Sequence, residues 1–358
     1  MAGSKIPPSP RVTMKDVAAR AGVSQSTVSF VLNGMEDMRI GAETRRRVFE
    51  AVAELGYRPR GAGRPPSALR KRVIGFMLDE IATSPFAAIS IDGAQEEARK
   101  HDALVEIVMT GGDPEYEAEA LRKWAAEGVD GVIYGSILTR RATPPDMLGR
   151  HRAVLLNCYD GTGRYASVVP AERRGGETAT WALLEQGHRK IAFIAGESWM
   201  DASGQRQEGF ARAMRAAGLV IDPALMREGN FLPSGGRAAT LSLMRSGPRP
   251  DAIFCANDLM AVGCYEALKE LGERPGDTIA VMGYDDQEIA QHLSPALSTV
   301  VLPHREMGQW ATSLLLQGKA EDPPAQERME CPLVLRASHH GPVRTDAPTR
   351  DPRPGAQI

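Results

Sequence analysis

The sequence predicts a small all-α headpiece with helix-turn-helix geometry at the N-terminus, followed by a larger α/β region built on parallel sheets. Three observations carry this expectation. Short amphipathic stretches flanked by helix-capping residues open the chain. The first 72 residues hold 14 Lys/Arg against 6 Asp/Glu, a net charge of +8, while the remainder is −10. From Val73 onward, apolar strand-like runs alternate with helical stretches, which is the wiring of a parallel sheet covered by helices on both faces.

The 358 residues are too many for one ordinary core, since domains run to about 150 residues. Hydrophobic residues at 42% and charged ones at 25% describe a globular chain, and no apolar run of about 18 residues is present to span a membrane. The opening MAGSKIPPSPRV has no apolar h-region, so a cytoplasmic location is expected. Cys158, Cys255, Cys264 and Cys331 show no CxxC spacing and read as reduced core residues. A basic module on an acidic body suits phosphate binding, because Lys and Arg release counterions from DNA while the acidic body limits indiscriminate adhesion.

Thr13-Met14-Lys15-Asp16 has the form of a capping box, so a first helix starts there, buries Val17, Ala18 and Ala21, and stops at Gly22. Ser24 caps a second helix, Gln25 to Leu32, with Val28, Val31 and Leu32 as its buried stripe. A third, Ala42 to Leu55, adds Val48, Ala51, Val52 and Leu55 and ends at Gly56. Two short helices joined by a turn of about three or four residues give the helix-turn-helix.

VTMKDVAARAGVSQSTVSFVLNG followed by ETRRRVFEAVAELGYRPR resembles the headpiece of the lactose/galactose repressor (LacI/GalR) family. The resemblance implies that the second helix enters the major groove of double-stranded DNA and that Gln25, Ser26 and Phe30 select bases. Gln25 is able to bond adenine in bidentate fashion, whereas Phe30 offers only apolar contact, for example to a thymine methyl. Family members often carry Arg at this last position. Thr13, Ser24, Thr27, Ser29 and Asn33 are expected to meet phosphates; for Thr27 and Ser29, plain helix surface is an equal reading.

Residues 60–72 are rich in Gly, Pro and Arg and read as a linker. In the family a hinge helix forms on DNA and a leucine wedges into the minor groove. Pro66 stands at that spacing here, so either a helix begins near Pro65 and presents Leu69, or none forms; Arg64 favours proximity to DNA in both cases, a plain solvated linker being an equal reading.

LLEQGHRKIAFIAG, QRQEGFARAM, AIFCANDLMAVG, AVMGYDD and STVVLP resemble the family's sensor domain, which shares its fold with periplasmic sugar-binding proteins. This implies two lobes within residues 73–340. The first spans about 73–158 plus 298–331, the second about 159–297 plus 332–340, with crossovers near Cys158–Tyr159, Leu293–Leu297 and Cys331–Pro332. Residues 1–11 are then a flexible N-terminus, 12–59 the headpiece and 341–358 a disordered tail. Ligands gather at the carboxyl ends of parallel strands. Transfer by resemblance nominates Ser84, Phe86, Arg206, Phe231, Asn257 and Asp285 for an effector, expected to be a carbohydrate: carboxylate, guanidinium and amide bond vicinal hydroxyls while rings cover a sugar's apolar face. Each has a plainer reading. Phe86 and Phe231 suit a core, Arg206 a surface, Asp285 a turn after a strand, and Asn257 the cap of a helix from Leu259 to Leu271. Where many family members carry Asp before the Gly-Gly pair, Val169-Pro170-Ala171-Glu172 stands here, so a polar ligand contact is lost or moves to Glu172.

The expected function is that of a sequence-specific repressor: a homodimer on a pseudo-palindromic operator, its DNA affinity set allosterically by the effector, with no cofactor. A ligand-responsive activator and a transport-type solute-binding protein are the alternatives, the latter disfavoured by the headpiece. No GxSxG, HExxH, P-loop or GxGxxG follows a strand, so no enzyme is expected. His188, His292 and His304 read as isolated helix-flanking or surface residues, and no metal is expected, His339–His340 being the pair to check. The tail has no leucine heptads to make a tetramer.

Overall fold

A computed structural model describes residues 12–32, 40–57, 71–79, 85–317 and 326–342. Asn33, Arg64, Pro66, Leu69 and Ser84 lie outside the described residues, as do the first eleven positions and the tail beyond Pro342. The chain divides into two compact units at Arg72/Val73.

The headpiece consists of α1 (Met14–Ala21), α2 (Gln25–Leu32) and α3 (Ala42–Leu55). The Asp16 carboxylate reaches back over the start of α1 and accepts from both the N–H and the hydroxyl of Thr13, each at 2.7 Å. Gly22 ends the helix at φ 65°, a conformation that costs a residue without Cβ little. The Ser24 hydroxyl accepts the Thr27 N–H at 3.0 Å, which caps α2. Val17, Val28 and Val48, one from each helix, are fully buried, and Val52, Leu55 and Tyr57 pack against that core.

The body alternates strands and helices. In order they are β1 (Arg72–Leu78), α4 (Pro85–Lys100), β2 (Ala103–Met109), α5 (Pro114–Glu127), β3 (Gly131–Ala142), β4 (Ala153–Asp160), β5 (Ala166–Pro170) and α6 (Glu172–Glu185). There follow β6 (Ile191–Ala195), α7 (Asp201–Ala216), β7 (Met226–Glu228), α8 (Pro233–Ser246), β8 (Ala252–Cys255), α9 (Asp258–Glu270), β9 (Ala280–Met282) and α10 (Ile289–His292). The last elements are β10 (Thr299–Val300), α11 (His304–Gln317), β11 (Gln326–Met329) and β12 (Leu333–Val334).

One sheet runs β11-β5-β4-β3-β1-β2 and a second β7-β6-β8-β9. Pairing is parallel from β1 through β3, β4 and β5 to β11, and throughout the second sheet. The near-continuous apolar runs of β1, β6 and β8 follow from burial on both faces. Glycines bring α6 and α7 together: a Cβ at Gly176 would strike the Arg206 backbone, and one at Gly209 would strike the Arg173 carbonyl. That close approach fixes where Arg206 enters the site.

Two crossovers differ from expectation. Cys158–Tyr159 lie inside β4, and β5 still pairs with it from Val154↔Ala166 to Leu156↔Val168, so the first crossing follows Pro170. The second follows Val301 and not Leu293–Leu297, because Ser298 and Val301 bridge in parallel to Met282 and Asp285 beside the second sheet. The third lies between β11 and β12, where Cys331 is buried. The physical reason is pattern: β5 is only five residues long, and β11, its edge partner, is polar and exposed along Gln326–Arg328.

Candidate functional site

In the headpiece, the face of α2 opposite Val28, Val31 and Leu32 carries the polar residues. Gln25 and Ser26 are exposed, and Thr27, Ser29 and Phe30 are half-buried. Ser24 links to both neighbours, with its hydroxyl 2.8 Å from those of Ser26 and Thr27. Thr13 is exposed at the start of α1, where its hydrogen bonds hold the Asp16 carboxyl below the ordinary carboxylate range.

In the body, a cavity of about 200 Å³ opens between the lobes. From the first lobe it is lined by Phe86, Ile137, Leu138, Thr139, Asn157 and His304; from the second by Glu172, Arg206, Phe231, Asn257, Asp285 and Gln287. Five of the six residues nominated by resemblance therefore meet here, and the sixth, Ser84, lies outside the described residues.

Arg206 is the hub. Its Nε and Nη2 donate to the two oxygens of Glu172 at 2.8 and 3.0 Å, and Nη1 donates to the Ala256 carbonyl at 2.6 Å and to Asp285 at 3.0 Å. The guanidinium lies 3.8 Å over the ring of buried Tyr284. Burial alone would lower its pKa, but the Glu172 and Asp285 carboxylates outweigh that and raise it. Arg206 is thus no surface residue. Burial pushes the Asp285 carboxyl up to about 6 against the pull of Arg206. Behind it, burial and the Asp285 charge lift Asp258 well above its usual range; its carboxylate accepts from the Thr299 hydroxyl and the Gln287 N–H at 2.7 and 2.8 Å.

Three lining residues sit at positive φ: Asn157 at 55°, Phe231 at 57° and Asp285 at 111°. Non-glycine residues there cost on the order of 1–3 kcal/mol each, and such strain persists only where the surroundings impose it. Asp285 is followed by Asp286 at φ 51°, so its turn character and its place in the pocket coexist. The same holds for Asn257. Its side chain caps α9 by accepting the Met260 N–H at 2.9 Å, donates to the Phe231 carbonyl at 3.0 Å, and still lines the cavity.

His304 corrects its expected placement. It is buried, stacks on Phe86 with centroids 5.0 Å apart, and directs Nδ1 to Ser90 at 3.3 Å. Burial lowers its pKa to about 3, so the ring is neutral. His188 is buried too, with Nε2 3.2 Å from the His339 carbonyl, whereas His292 is largely exposed. His339 and His340 lie ring to ring at 4.2 Å, yet the described residues contain no group of three or more His, Cys, Asp or Glu placed to hold a metal. Thr139, Asn157, His304 and Gln287 escaped sequence reasoning. Asn157 had a signal, since it is the polar residue that ends the apolar run AVLLN within β4; His304 had none, because α11 presents it only through tertiary packing.

A helix-turn-helix unit followed by a two-lobed α/β body with an interlobe cavity defines a DNA-binding regulator with a ligand-sensing domain. Residues 13–60 match the bacterial regulatory proteins, lacI family, and residues 180–339 match a periplasmic binding protein-like domain. The chain is 32% identical over 329 residues to the ribose operon repressor of Haemophilus influenzae, covering 91% of this chain and 98% of that protein. It is 34% identical over 309 residues to the HTH-type transcriptional repressor PurR of Vibrio atlanticus, with 85% and 91% covered. The chain belongs to the lacI family of bacterial regulatory proteins. Its fold is similar to the lac repressor dimer bound to operator and the anti-inducer ONPF, with TM-score 0.69, 26% identity, and 92% of this chain and all of that one covered. It is also similar to the transcriptional regulator CelR in complex with cellobiose, with TM-score 0.62, 29% identity and the same coverage. Among the described residues no helix is long and apolar enough to cross a membrane.

Proposed function

We propose that this chain is a repressor that binds a pseudo-palindromic DNA operator as a homodimer and changes its operator affinity when a carbohydrate occupies the interlobe cavity. The observation that carries this reading is the joint presence of an exposed polar face on α2 and a cavity whose lining joins both lobes. On α2, Gln25, Ser26 and Phe30 read base edges, while Thr13, Ser24, Thr27, Ser29 and Asn33 fix the register on phosphates. Arg64, Pro66 and Leu69 form the hinge that approaches the minor groove. Phe86, Ser84, Arg206, Phe231, Asn257 and Asp285 belong to the effector site. The mixture of rings and polar groups and the cellobiose-bound relative support a sugar. A second copy of the chain has a surface to use: β2 is an edge strand whose Leu104, Ile107 and Met109 are exposed, and such an edge stays soluble when it is covered. Coupling is reciprocal, so operator DNA changes effector affinity by the factor by which effector changes operator affinity.

The test is a band shift of the purified protein on its own upstream DNA across a salt series, with and without a panel of sugars. Selective binding with a steep salt dependence, changed by one sugar, is the expected result. Gln25→Ala should lose about 1–3 kcal/mol of discrimination at one base pair per half-site. Absence of selective binding, together with no effect of Gln25→Ala or Phe30→Ala, would overturn the reading.

A further inference from the structure

The cavity contains a single cation among its described lining residues, and that cation is already engaged. A guanidinium has five N–H donors. Four of those of Arg206 go to Glu172, the Ala256 carbonyl and Asp285, and its face is covered by Tyr284. The residue is 4% exposed. No lysine is among the described lining residues, and the remaining basic side chain, His304, is turned through Nδ1 to Ser90. Two carboxylates therefore face one guanidinium. An anion entering this space would leave water for a site with no positive charge to receive it, and burying an unpaired charge is costly. An uncharged ring is better served, by Gln287 for hydroxyls and by Phe86 and Phe231 for carbon.

We propose that Glu172 sets the charge class of the effector: by closing Arg206 into a two-point pair, it makes the cavity select uncharged polyols of one sugar ring and reject sugar acids and sugar phosphates. This rests on the reading of the cavity as the effector site. The volume of about 200 Å³ lies below the roughly 300–1,000 Å³ of pockets that take drug-sized ligands, which is in keeping with one ring. Glu172 acts through the pair, so its removal changes selectivity between ligands of equal size. Glucose and glucuronate, or galactose and galacturonate, differ in charge and hardly in shape, which makes them suitable probes.

The experiment titrates wild type, Glu172→Ala and Glu172→Gln with these neutral–acid pairs, with ribose and ribose 5-phosphate, and with inorganic phosphate, by calorimetry and thermal midpoint. In the wild type, the neutral member of a binding pair should be favoured by about 100-fold, the scale of a lost charged hydrogen bond, and inorganic phosphate should give no midpoint shift. Glu172→Ala frees Nε and Nη2 and should gain at least about tenfold in affinity for uronates and phosphate relative to wild type, with Glu172→Gln intermediate. Circular dichroism checks the fold; if the alanine variant does not fold, the glutamine variant decides. Wild type binding the acid or phosphate as tightly as the neutral parent would overturn the proposal, as would folded variants that gain no anion affinity. If no sugar of either charge binds the wild type, the carbohydrate reading fails on its own, and the phosphate titration of the variants still decides the role of Glu172.

Discussion

In the headpiece, Gln25 and Ser26 stand in water on one side of α2 while Val28, Val31 and Leu32 hold the other side in the core. In the body, Glu172, Arg206 and Asp285 are at most 8% exposed and bind one another. The first arrangement waits for an external partner to satisfy it; the second is satisfied internally and presents a ligand only with what its mutual pairing leaves over. The headpiece groups are also close in sequence, whereas Arg206 meets Glu172 and Asp285 across 34 and 79 residues. Loss of one buried member should therefore damage the fold, and loss of Gln25 or Ser26 should damage recognition alone.

The sharpest test of that contrast is Arg206→Ala. It strands two buried carboxylates and should cost about 3–5 kcal/mol of body stability, read as a lowered urea midpoint. A loss below about 1 kcal/mol would show that the pair is as dispensable as a surface one.

Protonation offers a second test, intermediate in size. The folded-state pKa of His304 lies near 3, below its ordinary 6.5, so the neutral ring contributes stability that is present above pH 6.5 and is lost progressively as pH falls toward 3. Asp285 has the opposite sign: raised to about 6 from 3.8, it binds its proton more tightly in the folded state, so stability falls as pH rises through that interval. His304→Phe keeps an aromatic ring on Phe86 and removes the titration. Relative to wild type it should gain about 1.4 kcal/mol for each pH unit below 6.5, measured from unfolding curves at pH 5, 6 and 7. Parallel pH profiles for the two proteins would count against a buried neutral His304.

The smallest effect belongs to the exposed cap. Ser24→Ala removes the acceptor for the Thr27 N–H and should cost about 1 kcal/mol, confined to headpiece unfolding followed by hydrogen exchange, with the body's urea midpoint unchanged. A matching shift of the body midpoint would mean that the two units unfold together.

Local pattern was enough to place α1, α2 and α3 at their observed positions, because their caps, glycine stops and apolar spacing all lie within a few residues. It was enough for the buried strands β1, β6 and β8, whose apolar runs record burial on both faces. It failed for β5 and β11: an edge strand such as Gln326–Met329 gains its identity from a neighbour's backbone and not from its own side chains. The lobe boundaries moved with them.

The pocket divides in the same way. The sequence by itself determined the kinds of groups present and, through family resemblance, nominated Arg206, Asp285, Asn257, Phe86 and Phe231. Only the tertiary structure decided that Glu172 takes Arg206 as its partner, that Asn157 and His304 join the lining, and that Phe231 and Asp285 hold strained backbones. A helix cap or a buried stripe is fixed by neighbours along the chain, while a buried charge is compensated by whichever group the packing brings within about 3 Å, and no local pattern records that choice.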